Sequence, residues 1–504
     1  MEHLLSFLIF FPALCAIVCV FLNDTRARIF GLVASGLELV VALGLYVKFD
    51  SNFSGYPFVE KFELIPSLGI SYFIGVDGIS LFLVLLSALV GFIGILFLRN
   101  EERLKQFVIC ILSLQAIVIG LFCALDMILF YIFWELSLVP MLYIIGIWGS
   151  ERRIYASVKF FLYTFGASLI MLVGILYYAY EFHAHSGFWS FSLRDWYLFN
   201  LNVDSQKWLF WAFFIGIAVK VPMFPFHTWL PYAHGQAPTI GSVILASVLL
   251  KMGTYAFVRI SLPLFPVACM DYQNILAILC LCMIVYGAML AYAQKDLKQV
   301  IAYSSISHMG VIVLGTFALN AEGVSGSVFF MLGHGVVSAA LFMLVGMLYE
   351  RRHTKLISEF GGLMSATPKV GIFFAIALVA SVGLPLSIGF VGEFLSLYGY
   401  FQVSPLIAFI AGFSIILGAV YMLSSFGKVF LGELKNEKNK NLPDMNKREF
   451  FSLLPLIVLI IALGIYPKPI LEPISNASNI LLDVMQVKLE PHSEFLDDEF
   501  IIGE

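Results

Sequence analysis

The chain has 504 residues, of which 61% are hydrophobic and 12% are charged, and its formal net charge is −4. Soluble domains carry about 25% charged residues, so half that load excludes a water-soluble globular protein. The seven cysteines lie in apolar runs with no CxxC pair, a pattern that offers no disulfide framework, iron–sulfur site or zinc site.

The apolar runs match the ~20 residues per helix that a ~30 Å hydrocarbon core requires. They predict an all-α integral membrane protein of about 14 transmembrane helices, at 4–22, 28–47, 77–98, 106–124, 126–148, 156–180, 208–231, 239–260, 272–292, 297–318, 324–349, 370–401, 405–430 and 450–467. Met1-Glu2-His3 lacks a basic leader, so the first run reads as a retained helix rather than a signal peptide. Longer loops are expected at 49–76, 181–207, 350–369 and 431–449, and the tail beyond Tyr466 reads as amphipathic, then acidic. Four units follow: a three-helix region at 1–105, five-helix sets at 106–260 and 271–430, and a final helix with its tail at 431–504.

Twenty of the 29 basic residues fall in the odd-numbered loops, and seven, Arg259 and Lys488 among them, in the even loops and the tail. By the positive-inside rule the odd loops are cytoplasmic and both termini lie outside. The remaining two, Lys220 and Lys251, sit within spans. An ionised lysine at a helix centre costs about 2.5–3.5 kcal/mol on insertion scales. Each therefore reads as functional, and the plain alternative is a lysine snorkelling to the interface.

Span seven reads GIAVKVPMFPFHTWL, with Pro222 and Pro225 inside it; span twelve reads SVGLPLSIGFVGEFL, with Pro385. Proline removes a backbone donor and clashes with the preceding turn, so both helices are expected to break. Each is the fourth helix of a five-helix set. Five is odd, so the second set enters from the opposite face, and the pattern is that of two inverted repeats with broken helices marking an ion site. Two unrelated proline kinks are the plain alternative.

Span five carries Glu135 in FYIFWELSLVPMLYIIGIWG. A lone carboxylate in hydrocarbon takes up a proton or finds a cation, and Lys220 beside its break is a natural partner. A Glu–Lys pair whose separation changes is a proton switch; a fixed structural pair is the bland reading. Span ten carries His308, span eleven His334, and span twelve Glu393. With Lys251 these form a possible row joined by water, histidine being the group that titrates near neutrality; taken singly, each histidine could be a hydrogen-bonded packing residue. Glu38 in span two has no evident partner. Lys295 and Asp296 read as loop charges that could form an exit.

The segments WELSLVPM, KVPMFPFHTWLPYAHGQAPT, LLKMGTY, AYSSISHMG and GHGVVSAALF, with GISYFIGVDGISL at 69–81, resemble the antiporter-like membrane subunits of respiratory complex I. The resemblance spans nearly the whole chain. It implies a proton-translocating membrane-arm subunit of an NADH-quinone oxidoreductase, with an outer hairpin at 69–81 and sister membrane subunits and the lipid bilayer as partners. No nucleic acid is implied. No cofactor is expected in this chain; quinone, NADH, flavin and iron–sulfur clusters belong to partner subunits. The resemblance implies that Glu135 and Lys220 form the coupling pair, that Lys251 and His308 carry protons along the axis, and that Glu393 serves the outer end, with His334 between. Glutamate at 393, where paralogues usually carry lysine, and the short C-terminal tail select one paralogue. A bacterial inner membrane is the expected location. Two departures stand out: Gln115 aligns with a glutamate of many relatives, and Tyr232 with an aspartate. A subunit of a multisubunit sodium/proton antiporter, which shares this core, is the alternative.

Overall fold

Several helices begin where the sequence supplies a side-chain cap. In the computed structural model, which describes residues 3–490 apart from 52, 54 and 100, α1 (Leu4–Val20) turns into α2 (Asp24–Val47) at Asn23, whose side chain accepts from the Arg26 amide. A hairpin follows, β1 (Phe58–Ile65) antiparallel to β2 (Ile70–Val76). It is the one sheet among the described residues; the remaining elements are helical, as the all-α class expects. Strands of eight and seven residues are too short to span a bilayer, the first also carries Glu60, Lys61 and Glu63, and the two pair with each other. Buried Glu60 accepts from the Leu5 amide at 2.8 Å and pins the hairpin to α1. At its turn Gly69 has φ 64° and lies against the Trp189 carbonyl, where a Cβ would collide.

Next come α3 (Ser80–Phe97) and α4 (Leu104–Cys123). Asp126 caps α5 (Met127–Leu136), which continues through Ser137 into α6 (Leu138–Trp148). Beyond α7 (Arg153–Ser186) and the short α8 (Leu193–Leu198), α9 (Val203–Lys220) stops at Lys220. Pro222 and Pro225 lie in the non-helical stretch before α10 (Trp229–Gln236), so this helix breaks as expected. Thr239–Leu264 is one continuous rod. Within it α11 (Thr239–Ile244), α12 (Leu250–Ala256) and α13 (Leu262–Leu264) are joined by π-helical segments at Leu245–Leu249 and Phe257–Ser261.

The second half holds α14 (Pro266–Asp271), α15 (Gln273–Ala293), α16 (Leu297–Thr316), α17 (Ala321–Arg352), α18 (Leu363–Ala366) and α19 (Pro368–Ser381). Pro385 lies in the second break, between α19 and α20 (Ile388–Val403). The described residues end with α21 (Pro405–Phe430), α22 (Lys447–Ile465) and α23 (Lys468–Leu489). The acidic stretch after Glu490 lies outside the described residues.

Among the described residues, eleven helices are long and apolar enough to cross a membrane, and the rod and α17 are buried throughout their apolar windows. Lipid tails are as apolar as leucine, so such helices associate through close packing and small residues. The α17–α20 seam shows this: Gly392 abuts the Phe330 backbone and Gly399 abuts Gly323, each too close to accept a Cβ. The outer helices α2, α7 and α21 expose Val33, Val173 and Phe409 on apolar faces.

Three basic residues assigned to loops or tail from the sequence are in fact buried: Arg259, Lys298 and Lys488. For Arg259 the reason is register. The rod continues to Leu264, past the expected end at 260, and carries the guanidinium inside.

Candidate functional site

The hitch between α5 and α6 positions the first pair. Ser137 sits at the hitch, and the Lys220 Nζ, on the last residue of α9, donates to its Oγ at 3.0 Å. The ammonium also lies 5.3 Å from the Trp134 ring centroid, a cation–π contact. Glu135 stands between these contacts in sequence but not in space. Tyr131 and Ser168 flank its carboxyl, yet neither oxygen completes a hydrogen bond. Its expected partnership with Lys220 is not a contact ion pair; the ammonium rests on Ser137 and Trp134 instead. The two groups are near enough to feel each other's charge but are not in contact.

Lys220 and Lys251 lie on adjoining helices. Gly253, two residues beyond Lys251, meets Val221 at the first break, where a Cβ would come within 2.5 Å of the valine side chain. Lys251 itself lies between the two π segments, and π-bulges of this kind recur at functional sites. Its Nζ donates to the Ala246 carbonyl inside the first π segment and sits 2.7 Å from the His334 Nδ1. The imidazole of His334 meets that of His308 edge to face, with centroids 5.4 Å apart. Lys251, His334 and His308 are thus one contiguous set, in that order along the row.

From His308 the row reaches the second break. A cavity of about 10 Å³ lies among Ser304, Ser305, His308, His334, Ser338 and Ser381, close to the room that one water needs. Ser381 is the last residue of α19, so the cavity opens toward the break. On the far side Glu393 accepts from the Ser414 Oγ at 2.7 Å. Gly383, at φ 75° in the break, lies against the other carboxyl oxygen. Tyr421, buried on α21, stands beside both Ser304 and Glu393.

The structure thus brings Lys251, His334 and His308 into contact. Lys220 and Glu393 take neighbouring places, and Glu135 stands unpartnered beside the Lys220 contacts. Several neighbours were not singled out from the sequence: Ser137, Ser414, Tyr421 and His234. Hydroxyl groups in apolar helices commonly bond their own backbone, so nothing local marks these three. His234 lay within a quoted motif without a role; it is buried between Lys251 and Lys298, stacked on Phe342, with neither ring nitrogen partnered. Glu38 is buried with both oxygens unpartnered, away from the row.

On the face opposite the hairpin, a polar cavity of about 300 Å³ is lined by Glu151, Gln236, Asp296, Gln299 and Lys355. Lys355 Nζ donates to the Gly235 carbonyl at 2.9 Å, and burial holds this loop ammonium below its ordinary range. Nearby, Lys298 donates to the Ala237 carbonyl at 2.6 Å.

A buried row of lysine, histidine and glutamate running between two broken helices defines an antiporter-like ion-translocating membrane subunit. The family model described as NADH:quinone oxidoreductase/Mrp antiporter, transmembrane, matches residues 124–418. NADH-quinone oxidoreductase subunit M of Rickettsia prowazekii (strain Madrid E) is 43% identical over 480 residues, covering 93% of this chain and 96% of the relative. A chain of respiratory complex I from Thermus thermophilus superimposes with a TM-score of 0.87 at 32% identity, covering 95% of this chain and 99% of its own. A chain of the Mrp complex from Dietzia sp. DQ12-45-1b shares the fold, with a TM-score of 0.83 at 20% identity, covering 97% and 99%. The chain belongs to the subunit M family of the NADH-quinone oxidoreductases.

Proposed function

We propose that this chain is a proton-translocating membrane-arm subunit of an NADH-quinone oxidoreductase, and that Glu135, Lys220, Lys251, His334, His308 and Glu393 carry the proton in that order along the membrane. The observation that carries this reading is the contact between the Lys251 ammonium and the His334 imidazole, continued through His308 to a water-sized cavity at the second break. A lysine and a histidine sharing one hydrogen bond in a dry interior compete for a proton, and a nearby charge decides which holds it.

The first pair supplies that charge. Lys220 rests on Ser137 and Trp134 rather than on Glu135. If a negative charge reaches Glu135 from a neighbouring subunit, it draws the Lys220 ammonium across. That movement removes positive charge from the vicinity of Lys251, which then retains its proton more readily. The reverse movement expels it toward His334. Broken helices at Pro222, Pro225 and Pro385 give each end room to move, and the sets 106–260 and 271–430 act as inverted halves about the row. The unit at 1–105 carries the hairpin, and α22 and α23 of the unit at 431–504 close the bundle.

The chain carries no redox centre in this reading. NADH, flavin, iron–sulfur clusters and quinone reside in partner subunits, and the sister membrane subunits meet the exposed apolar faces. The location is a bacterial inner membrane, with both termini outside, on the hairpin face.

Lys220→Ala in native membrane vesicles tests the reading, with quinone reduction and proton uptake followed together. Both are expected to fall at least tenfold, because electron flow is coupled through this pair. If neither rate changed, Lys220 would be structural and the axis would be overturned.

A further inference from the structure

Arg259 stands outside the row yet shares its helix. Lys251, Tyr255 and Arg259 follow at four-residue spacing along the buried rod, so they climb one face toward the hairpin side. Arg259 lies within the second π segment and Lys251 just before it.

Each guanidinium nitrogen has a neighbour, Nη2 through an ion pair that does not complete a hydrogen bond. Nη2 lies 2.6 Å from the Asp77 Oδ2. Nη1 donates to the Tyr56 hydroxyl at 2.9 Å, and Nε to the Tyr255 hydroxyl at 3.2 Å. The Arg259 carbonyl accepts from the Tyr197 hydroxyl at 2.6 Å, and Tyr255 donates to the Phe122 carbonyl at 3.0 Å. Asp77 is itself fixed: its Oδ1 accepts from the Ile79 amide at 3.1 Å and the Ser80 amide at 2.9 Å, at the start of α3. One residue therefore ties the rod to the hairpin approach, α3 and α8.

A buried ion pair is weak evidence for stability, since well-packed apolar residues often serve as well. What it supplies here is position. A π turn holds one residue more than an α turn, and converting one to the other rotates everything beyond it by about 100° and advances it by about 1.5 Å. Lys251 lies between two such turns, so its aim at His334 requires that the second one not relax. We propose that the Asp77–Arg259 pair is a positioning device for Lys251, locking the Phe257–Ser261 π segment so that the Lys251 ammonium stays on the His334 ring. The proposal rests on the reading of Lys251 as a proton carrier.

The test uses the whole complex in membrane vesicles and measures the proton-uptake yield per assembled complex, with quinone reduction followed alongside. Asp77→Asn and Arg259→Gln are expected to lower that yield at least threefold, with Arg259→Lys recovering part of it by keeping the charge on Asp77. A purely structural role would lower the amount of complex and leave the yield of each assembled copy unchanged. Lys251→Ala is the control. If it abolishes the yield while Asp77→Asn and Arg259→Gln keep the wild-type value, the positioning role is overturned and the axis stands. If Lys251→Ala leaves the yield intact, the axis reading itself fails. Should neither charge variant assemble, Tyr197→Phe and Tyr56→Phe decide: each removes one hydrogen bond, a smaller loss of yield supports the proposal, and wild-type yield in both overturns it.

Discussion

The buried charges of this molecule fall into two kinds, and α17 carries one of each. Near its middle, His334 shares a single contact with Lys251. At its end, Arg351 grips both oxygens of Glu449, at 2.9 and 2.7 Å, and also donates to the Pro443, Asp444 and Met347 carbonyls. Glu449 in turn completes a capping box with Asn446 at the start of α22. Every donor and acceptor of the second site is used. In the first, Glu135 and His234 are left with unpartnered polar atoms, and Lys220 rests on a hydroxyl and an indole face. Complete partnership fixes a charge. Incomplete partnership leaves it somewhere to go, and that separates a strut from a conductor.

The largest expected effect breaks the strut. Arg351→Ala leaves Glu449 buried beside its cap without a cation, and removing one partner of such a pair costs about 3–5 kcal/mol. Thermal unfolding of the solubilised complex, or its yield after purification, reads this directly. Lys220→Ala removes a cation whose described contacts are a hydroxyl and a ring, so the same assay is expected to show a much smaller loss while proton uptake collapses. Equal destabilisation by the two substitutions would erase the distinction between the sites.

A medium effect concerns packing behind the conductor. Gly392 precedes Glu393, and a Cβ there would fall 2.5–2.7 Å from the Phe330 main chain and Cβ. Gly392→Ala is therefore expected to push α20 off α17 at a cost of about 1–3 kcal/mol, lowering the unfolding temperature and, by displacing Glu393 from Ser414, the proton yield as well. Unchanged yield in an equally destabilised complex would place Glu393 off the proton's route.

Much of this was legible in the sequence, because membranes make two rules strict. Apolar runs of spanning length and proline within them announced the helices and both breaks, and an ionisable residue inside a run announced Lys220, Lys251, Glu135 and Glu393. What was not legible depended on register and on partners. Arg259 lies one residue inside a boundary drawn at 260, and a rod ending at Leu264 turns it from a loop charge into a buried, ion-paired cation. The hairpin was legible only through the resemblance of 69–81, because the pairing of two short segments is a long-range fact that apolarity does not report. Ser137, Ser414 and Tyr421 look like any hydroxyl in a helix until the chain folds and sets them beside an ammonium or a carboxyl. The separation of Glu135 from Lys220 is of the same kind: both residues were legible, but the serine and tryptophan on which the lysine rests were not.

The smallest expected effect carries the comparison outside the membrane. Lys488 lies on the amphipathic α23, buried, and among the described residues its ammonium has one hydrogen bond, to the Trp196 carbonyl at 2.9 Å. It is an incompletely partnered cation in a docked helix, and burial pushes it down to about 7 from its ordinary 10.5. The sign follows from proton counting. Between pH 7 and 10.5 a released α23 binds a proton that the docked helix does not, so docking strengthens as pH rises through this window. Below about 7 both states are protonated and docking stays at its weaker limit. Spin labels on α23 and α8 are expected to show a broader distance distribution at pH 6 than at pH 9. Lys488→Met keeps the length and apolar stem of the side chain, so it should narrow the distribution at pH 6 and remove the dependence. A pH response that survives Lys488→Met would mean that this lysine is as fixed as Arg351, and that counting partners does not tell a movable charge from a strut.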